Sequence, residues 1–180
     1  MILFFGPIGA GKSMQGQMLG MHYGWPWVST GKMFRETDDP EIQATIKSGS
    51  LVSDEQTYRL VEGVLSKQGA DQLILDGFPR TLPQVEWLVA HQKDFGYSID
   101  VAIVLDVTTE EILARTAARG RHDDSPETVE KRLAIYHAEV DPILAYLADN
   151  NVPIVRVNGI GKVGAIHDAV TDGISSYLGM

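Results

Sequence analysis

Eight consecutive residues, Gly6-Pro7-Ile8-Gly9-Ala10-Gly11-Lys12-Ser13, carry the strongest chemical signature in the chain. Glycines at this spacing let a turn curl so tightly that successive backbone N–H groups point inward and cradle phosphate oxygens. Lys12 adds a point charge toward the outer phosphates, and the Ser13 hydroxyl is placed to ligate Mg²⁺. The apolar run Ile2-Leu3-Phe4-Phe5 precedes the loop and a helix pattern follows it, so a helix dipole would aim its positive end at the same anion. A nucleoside triphosphate site follows from this arrangement, but the reaction it serves does not.

Three further groups could complete that chemistry. Asp76 ends an apolar run, where a second carboxylate could hold Mg²⁺ through its waters; the alternative is a turn aspartate ahead of Gly77. Arg80 follows Pro79 and is either a surface residue or an anion clamp, since a guanidinium fork matches phosphate oxygens. Arg115 and Arg119, four apart, share one helix face, which on its own is more often a solvated face.

The elements that must position these residues are legible as a rhythm. Apolar runs of strand length recur at 2–5, 27–29, 72–75, 101–107 and 152–157, with helix-like stretches at 11–23, 31–36, 41–47, 54–68, 82–93, 110–119, 126–150 and 164–178. Ser53, Thr108-Thr109 and Ser125-Pro126 supply helix-start signals. Strands alternating with helices predict an α/β fold, a three-layer P-loop NTPase architecture with a five-stranded parallel sheet flanked by helices. In open parallel sheets ligands sit beyond the carboxyl ends of the strands, and Lys12, Ser13, Thr30 and Asp76 to Arg80 all fall there. The polar segment 31–52 breaks the rhythm and reads as a small inserted binding unit.

The chain has 180 residues, 44% hydrophobic and 22% charged, which fits one soluble globular domain. A net charge of −9 argues against nucleic acid as a partner, so any polyanion must be held by locally placed arginines. No cysteine is present, which excludes disulfides, thiolate metal sites and a cysteine nucleophile. The apolar start is too short for a signal-peptide core or a membrane span, so a cytoplasmic protein without membrane contact is expected. The five histidines show no ligand spacing, and no N-K-x-D guanine reader appears.

The blocks GPIGAGKS, STGKMFRE, SGSLVSDE, LILDGFPRTLPQVEWL and RHDDSPETVEKRLAIYHAEVDPILAYL, in this order, resemble those of the nucleoside monophosphate kinases, and among them the adenylate kinases. The resemblance runs from Ile2 to about Val157. It implies reversible phosphoryl transfer from MgATP to AMP giving two ADP, within one domain that carries 30–52 as the acceptor insert and 119–125 as a vestigial lid. On the ATP side it implies Gly9, Ala10, Gly11, Lys12, Ser13, Met14, Arg115, Arg119 and Gly161, with Arg115 packed on the donor adenine. On the acceptor side it implies Thr30, Arg35, Leu51, Val52, Gly77, Arg80, Gln84, Arg121 and Arg132. Lys12, Arg80, Arg119, Arg121 and Arg132 would be catalytic, Ser13 and Asp76 would hold Mg²⁺, and Asp123-Asp124 would pair with or orient arginines. Small nucleotides are the implied partners of a monomer or small homo-oligomer.

Gln84 can donate and accept to adjacent adenine atoms at once. Relatives that prefer pyrimidine acceptors carry an alanine at the Thr30 position and asparagines in the stretch matching 81–84, so AMP is expected ahead of UMP or CMP. The chain also departs from the family pattern. Only Gly120 separates Arg119 from Arg121, the acceptor insert is short, and Ser13 replaces a glycine. Lys32 stands where an aspartate is usual, and either pairs with Asp76 or is simply solvated. Two other readings remain open at this point: a kinase of a small metabolite such as a sugar acid, and a nucleotide-binding scaffold without turnover.

Overall fold

Strand β1 (Ile2–Phe5) is apolar and buried along its whole length, as a central parallel strand covered on both faces must be. In the computed structural model, which describes residues 1–68 and 70–178, β1 pairs in parallel with β3 (Ile74–Asp76) on one side and β4 (Val101–Asp106) on the other. Strands β2 (Trp27–Ser29) and β5 (Ile154–Asn158) complete a five-stranded parallel sheet in the order β2-β3-β1-β4-β5. The register sets Phe4 beside Asp76 and Ser29 beside Asp76, so β1, β2 and β3 all finish at one edge. Because the chain leaves β1 toward β2 and later returns to β4 on its other side, that edge holds the topological switch point.

Alternation along the strands splits the core in two. Leu3, Phe5, Leu75, Ala102 and Val104 pack with α4 (Asp54–Gln68), α5 (Leu82–Ala90) and α8 (Pro126–Asp149). Ile2, Phe4, Ile74, Ile103 and Leu105 pack with α1 (Lys12–Tyr23) and α9 (Val163–Ile174) on the opposite face. Between β2 and α4 the chain forms α2 (Thr30–Arg35) and α3 (Pro40–Lys47), which bury a small cluster of their own around Phe34, Ile46 and Val52. Helix α7 (Thr109–Arg119) is capped by Thr108 and stops at Gly120, whose φ of 59° suits a residue without Cβ. Ser125 then caps α8 with Pro126 in its first turn, so residues 120–125 alone join the two helices.

Most predicted elements are present, with shifts that have local causes. Strand β3 starts two residues later than predicted, because Ala70–Gln72 forms a 3₁₀ turn, and β5 starts after Pro153 rather than at Val152. The helix predicted over 82–93 breaks at His91 into α5 and α6 (Gln92–Phe95). At this break the hydroxyl of Tyr97 donates to the Leu88 carbonyl at 2.6 Å. The helix predicted over 164–178 ends at Ile174 and continues as a 3₁₀ turn, Ser175–Tyr177. Among the described residues no helix is long and apolar enough to cross a membrane.

Candidate functional site

The phosphate loop is built from backbone that only glycine adopts without strain: φ is 145° at Gly6, 77° at Gly9 and 102° at Gly11, the residue that opens α1. Among the described residues the N–H groups of Gly9, Gly11, Lys12 and Ser13 have no backbone partner, and they lie where α1 presents the positive end of its dipole. The Lys12 ammonium turns back into the loop and donates to the carbonyls of Gly6 at 2.6 Å and Pro7 at 2.9 Å, leaving one N–H for a ligand. Burial pulls this ammonium down to about 8; Asp76 opposes the shift, while Arg80, Arg119 and Arg35 add to it. A polyanion would reverse the imbalance.

Asp76, buried at the end of β3, accepts from the Ser13 hydroxyl at 2.7 Å. Their contact is the observation that bears on a metal. One hydroxyl and one carboxylate oxygen form a hard donor pair that fits a cation taking its other ligands from phosphates and water, as Mg²⁺ does.

Beyond β3, Gly77 gives the next arginine its room. A Cβ on Gly77 would lie 2.8 Å from Arg80 Nη2 and 2.9 Å from Thr30 Oγ1. The Gly77 carbonyl accepts from both, at 2.6 Å from Arg80 Nε and 2.8 Å from Thr30 Oγ1. Thr30 is buried and is not among the residues that line the cavity. Thr81 caps α5 and turns Gln84 inward, where it is 2% exposed.

Opposite stands the arginine wall. Arg115 spans three elements, donating to Glu111 Oε1 at 2.8 Å, to the Ala10 carbonyl at 3.3 Å and to the Gly159 carbonyl at 2.8 Å, and so ties the phosphate loop to the loop after β5. These bonds use the guanidinium edge and leave its faces available for stacking. Arg119 makes a bidentate pair with Asp124 at 2.8 and 2.7 Å. Arg132 lies 3.0 Å from Asp123 Oδ2. This contact is an ion pair rather than an aligned hydrogen bond, since both Asp123 oxygens lack a hydrogen-bond partner. Burial works against ionisation of Asp123, yet Arg132 and then Arg35 hold its carboxyl below the usual range. Among the described residues the guanidinium groups of Arg35 and Arg121 have no hydrogen-bond or ion-pair partner. Burial is the first cause that pulls both down, with the charge of Arg121 adding to the shift at Arg35 and that of Arg119 to the shift at Arg121, so these arginines share one field of positive charge.

One cavity of about 480 Å³ runs along both halves. It is lined on one side by Gly9, Gly11, Lys12, Ser13, Met14, Arg115 and Arg119, and on the other by Arg35, Leu51, Val52, Gly77, Arg80 and Gln84, with Asp76, Arg121 and Arg132 also on its wall. Of the predicted site residues, Ala10, Thr30 and Gly161 do not line it. Its wall also includes Ile135, Tyr136, Glu139, Val140 and Ile143, which sequence reasoning did not single out. With Arg132 they follow a three-four spacing along α8, a signal that could have marked one inward face. Lys32 does not reach Asp76; its ammonium lies 3.8 Å from Glu36, one turn on, and is exposed.

A glycine-cradled phosphate site facing an arginine-lined pocket across one cavity, at the switch point of a five-stranded parallel sheet, defines a P-loop phosphotransferase of the nucleoside monophosphate kinase type. The family model described as adenylate kinase matches residues 4–152. The adenylate kinase of Mycobacteroides abscessus is 38% identical over 172 residues, 92% of this chain and 93% of its own length. That of Mycolicibacterium paratuberculosis is 36% identical, covering 91% and 94%, and that of Clavibacter michiganensis subsp. michiganensis 34%, covering 94% and 90%. The chain belongs to the adenylate kinase family.

Proposed function

We propose that the protein transfers the γ-phosphoryl group of MgATP reversibly to AMP, giving two ADP. The observation that carries this reading is the single cavity in which the phosphate loop faces Arg35 and Arg121, two arginines without a protein partner. Residues 30–52 act as the acceptor insert and 119–125 as the remnant of a lid. ATP lies along the loop amides and Lys12, with its base against the Arg115 face and the loop around Gly161. AMP places its phosphate between Arg35, Arg80 and Arg132 and its base between Leu51, Val52 and Gln84. The loose transition state spreads negative charge over the moving group, and Lys12, Arg80, Arg119, Arg121 and Arg132 stabilise it. No general base is needed, because the attacking phosphate oxygen is already anionic. Ser13 with Asp76 would hold Mg²⁺, which would supply neutralisation of phosphate charge.

Gln84 favours AMP over UMP. Its Oε1 accepts from Arg80 N at 2.8 Å and its Nε2 donates to Asp54 Oδ1 at 2.7 Å, which leaves one lone pair and one N–H for a base edge. Adenine offers an exocyclic donor beside a ring acceptor and fits that pair, whereas uracil offers the reverse order. With a net charge of −9, small nucleotides and not nucleic acid are the proposed partners. We assign the protein to the cytoplasm, where free nucleotides are abundant.

An assay of ADP formation from MgATP with AMP, UMP, CMP, GMP or no acceptor tests the reading, and AMP is expected to lead. Lys12→Ala should lose about 3–4 kcal/mol of transition-state stabilisation, on the order of 10²–10³ in kcat, by analogy with other preorganised charge contacts. Near wild-type turnover by that variant would rule the mechanism out.

A further inference from the structure

We infer that Asp54 is a positioning residue that sets the acceptor-base specificity by fixing which way round the Gln84 amide stands. This rests on the reading of Gln84 as the base reader. A primary amide has no intrinsic preference between its two orientations, so an unrestrained glutamine exchanges donor and acceptor and discriminates poorly between a base edge and its reversed pattern. Gln84 is restrained at both ends by partners of opposite and fixed polarity. The Arg80 backbone N–H can only donate, so it demands the oxygen. The Asp54 carboxylate can only accept, so it demands the nitrogen, at 2.7 Å. Rotating the amide by half a turn would face oxygen against carboxylate and N–H against N–H.

The placement suits the task. Asp54 opens α4 two residues after Val52, which with Leu51 lines the cavity, whereas Gln84 belongs to α5. Asp54 does not line the cavity itself. It therefore acts on a base only through Gln84, and it couples the end of the insert to the reader.

Inosine monophosphate gives a size-matched probe, because it presents an acceptor where AMP has the exocyclic amine and a ring N–H where AMP has a bare nitrogen. With saturating MgATP, kcat/KM is measured for AMP and for inosine monophosphate on the full-length wild-type protein, Asp54→Ala and Asp54→Asn. Alanine removes one restraint, and the AMP preference should fall by at least about tenfold, the effect of one charge-assisted hydrogen bond. Asparagine can present either end, so its ratio should lie between those of alanine and wild type. A purely structural role for Asp54 would lower both acceptors together and leave the ratio unchanged. An Asp54→Ala ratio within twofold of wild type overturns the inference. If that variant does not fold, an Asp54→Asn ratio within twofold of wild type does the same. A wild-type protein that phosphorylates neither nucleotide overturns the kinase reading and this inference with it, before any variant is compared.

Discussion

Lys12 shows how one side chain can be destabilised where it stands and used for that reason. Its ammonium is held at about 8 by burial, against an ordinary 10.5, with Asp76 only partly offsetting the loss. In the empty protein the charged form therefore declines above about pH 8, and kcat/KM for ATP should fall along a basic limb beginning there. Bound phosphates favour the ammonium, so the corresponding limb in kcat should lie at higher pH. Stability has the opposite sign. Between about 8 and 10.5 the unfolded chain still holds a proton that the folded one has released, so this group makes the empty fold more stable as pH rises through that window. Parallel pH profiles of kcat/KM and kcat with ATP varied check the first part. Coincident limbs would mean that nucleotide does not meet Lys12.

At the scale of elements, the segment after α3 is fastened to the start of α8. The carbonyls of Ile46, Lys47 and Ser48 at the end of α3 accept from Arg132 at 2.8 Å, Thr128 Oγ1 at 3.3 Å and Lys131 Nζ at 3.0 Å, the first of them shared with the Gly49 amide at 3.0 Å. Lys131 also donates to Ser50 Oγ at 2.8 Å, beside the Leu51-Val52 wall. Because these contacts are exposed, losing the ammonium in Lys131→Met should cost only about 1 kcal/mol, roughly fivefold in the KM for AMP, with the KM for ATP unchanged. Equal changes in both constants would show that the fastening does not serve the acceptor side. None of this was legible beforehand, because it joins carbonyls to side chains more than eighty residues away. What the sequence did disclose was local. The bounds of β1, β2 and α4 agree with prediction, since apolar runs and start signals mark them. The phosphate loop and the arginines were legible as motifs. The break at His91, where the Tyr97 hydroxyl meets the Leu88 carbonyl, was not, and neither was Asp54, thirty residues from the amide it holds.

The whole molecule concentrates positive charge in one cavity while carrying a net charge of −9, so nucleotides are drawn in by a local field and not by the overall one. What the fold does not provide is a long cover. Residues 120–125 form a tight turn, held by the bidentate Arg119–Asp124 pair, by Asp124 N to the Arg121 carbonyl at 3.0 Å and by Arg121 N to Asp124 Oδ2 at 3.4 Å. Such a turn aims arginines but cannot sweep across the γ-phosphate as a flap would. On the proposed reading, with 30–52 as the acceptor insert, water exclusion during transfer would come from the acceptor nucleotide and from that segment fastened to α8. With ATP alone, that half of the cavity lacks its occupant and solvent reaches the activated phosphoryl group. Phosphate release from MgATP without acceptor should therefore be measurable, and AMP should suppress it in the concentration range that supports ADP formation. Lys131→Met should shift that suppression to higher AMP, in step with its KM. Negligible acceptor-free hydrolysis by a protein shown to be monomeric would mean that the short turn seals the site unaided.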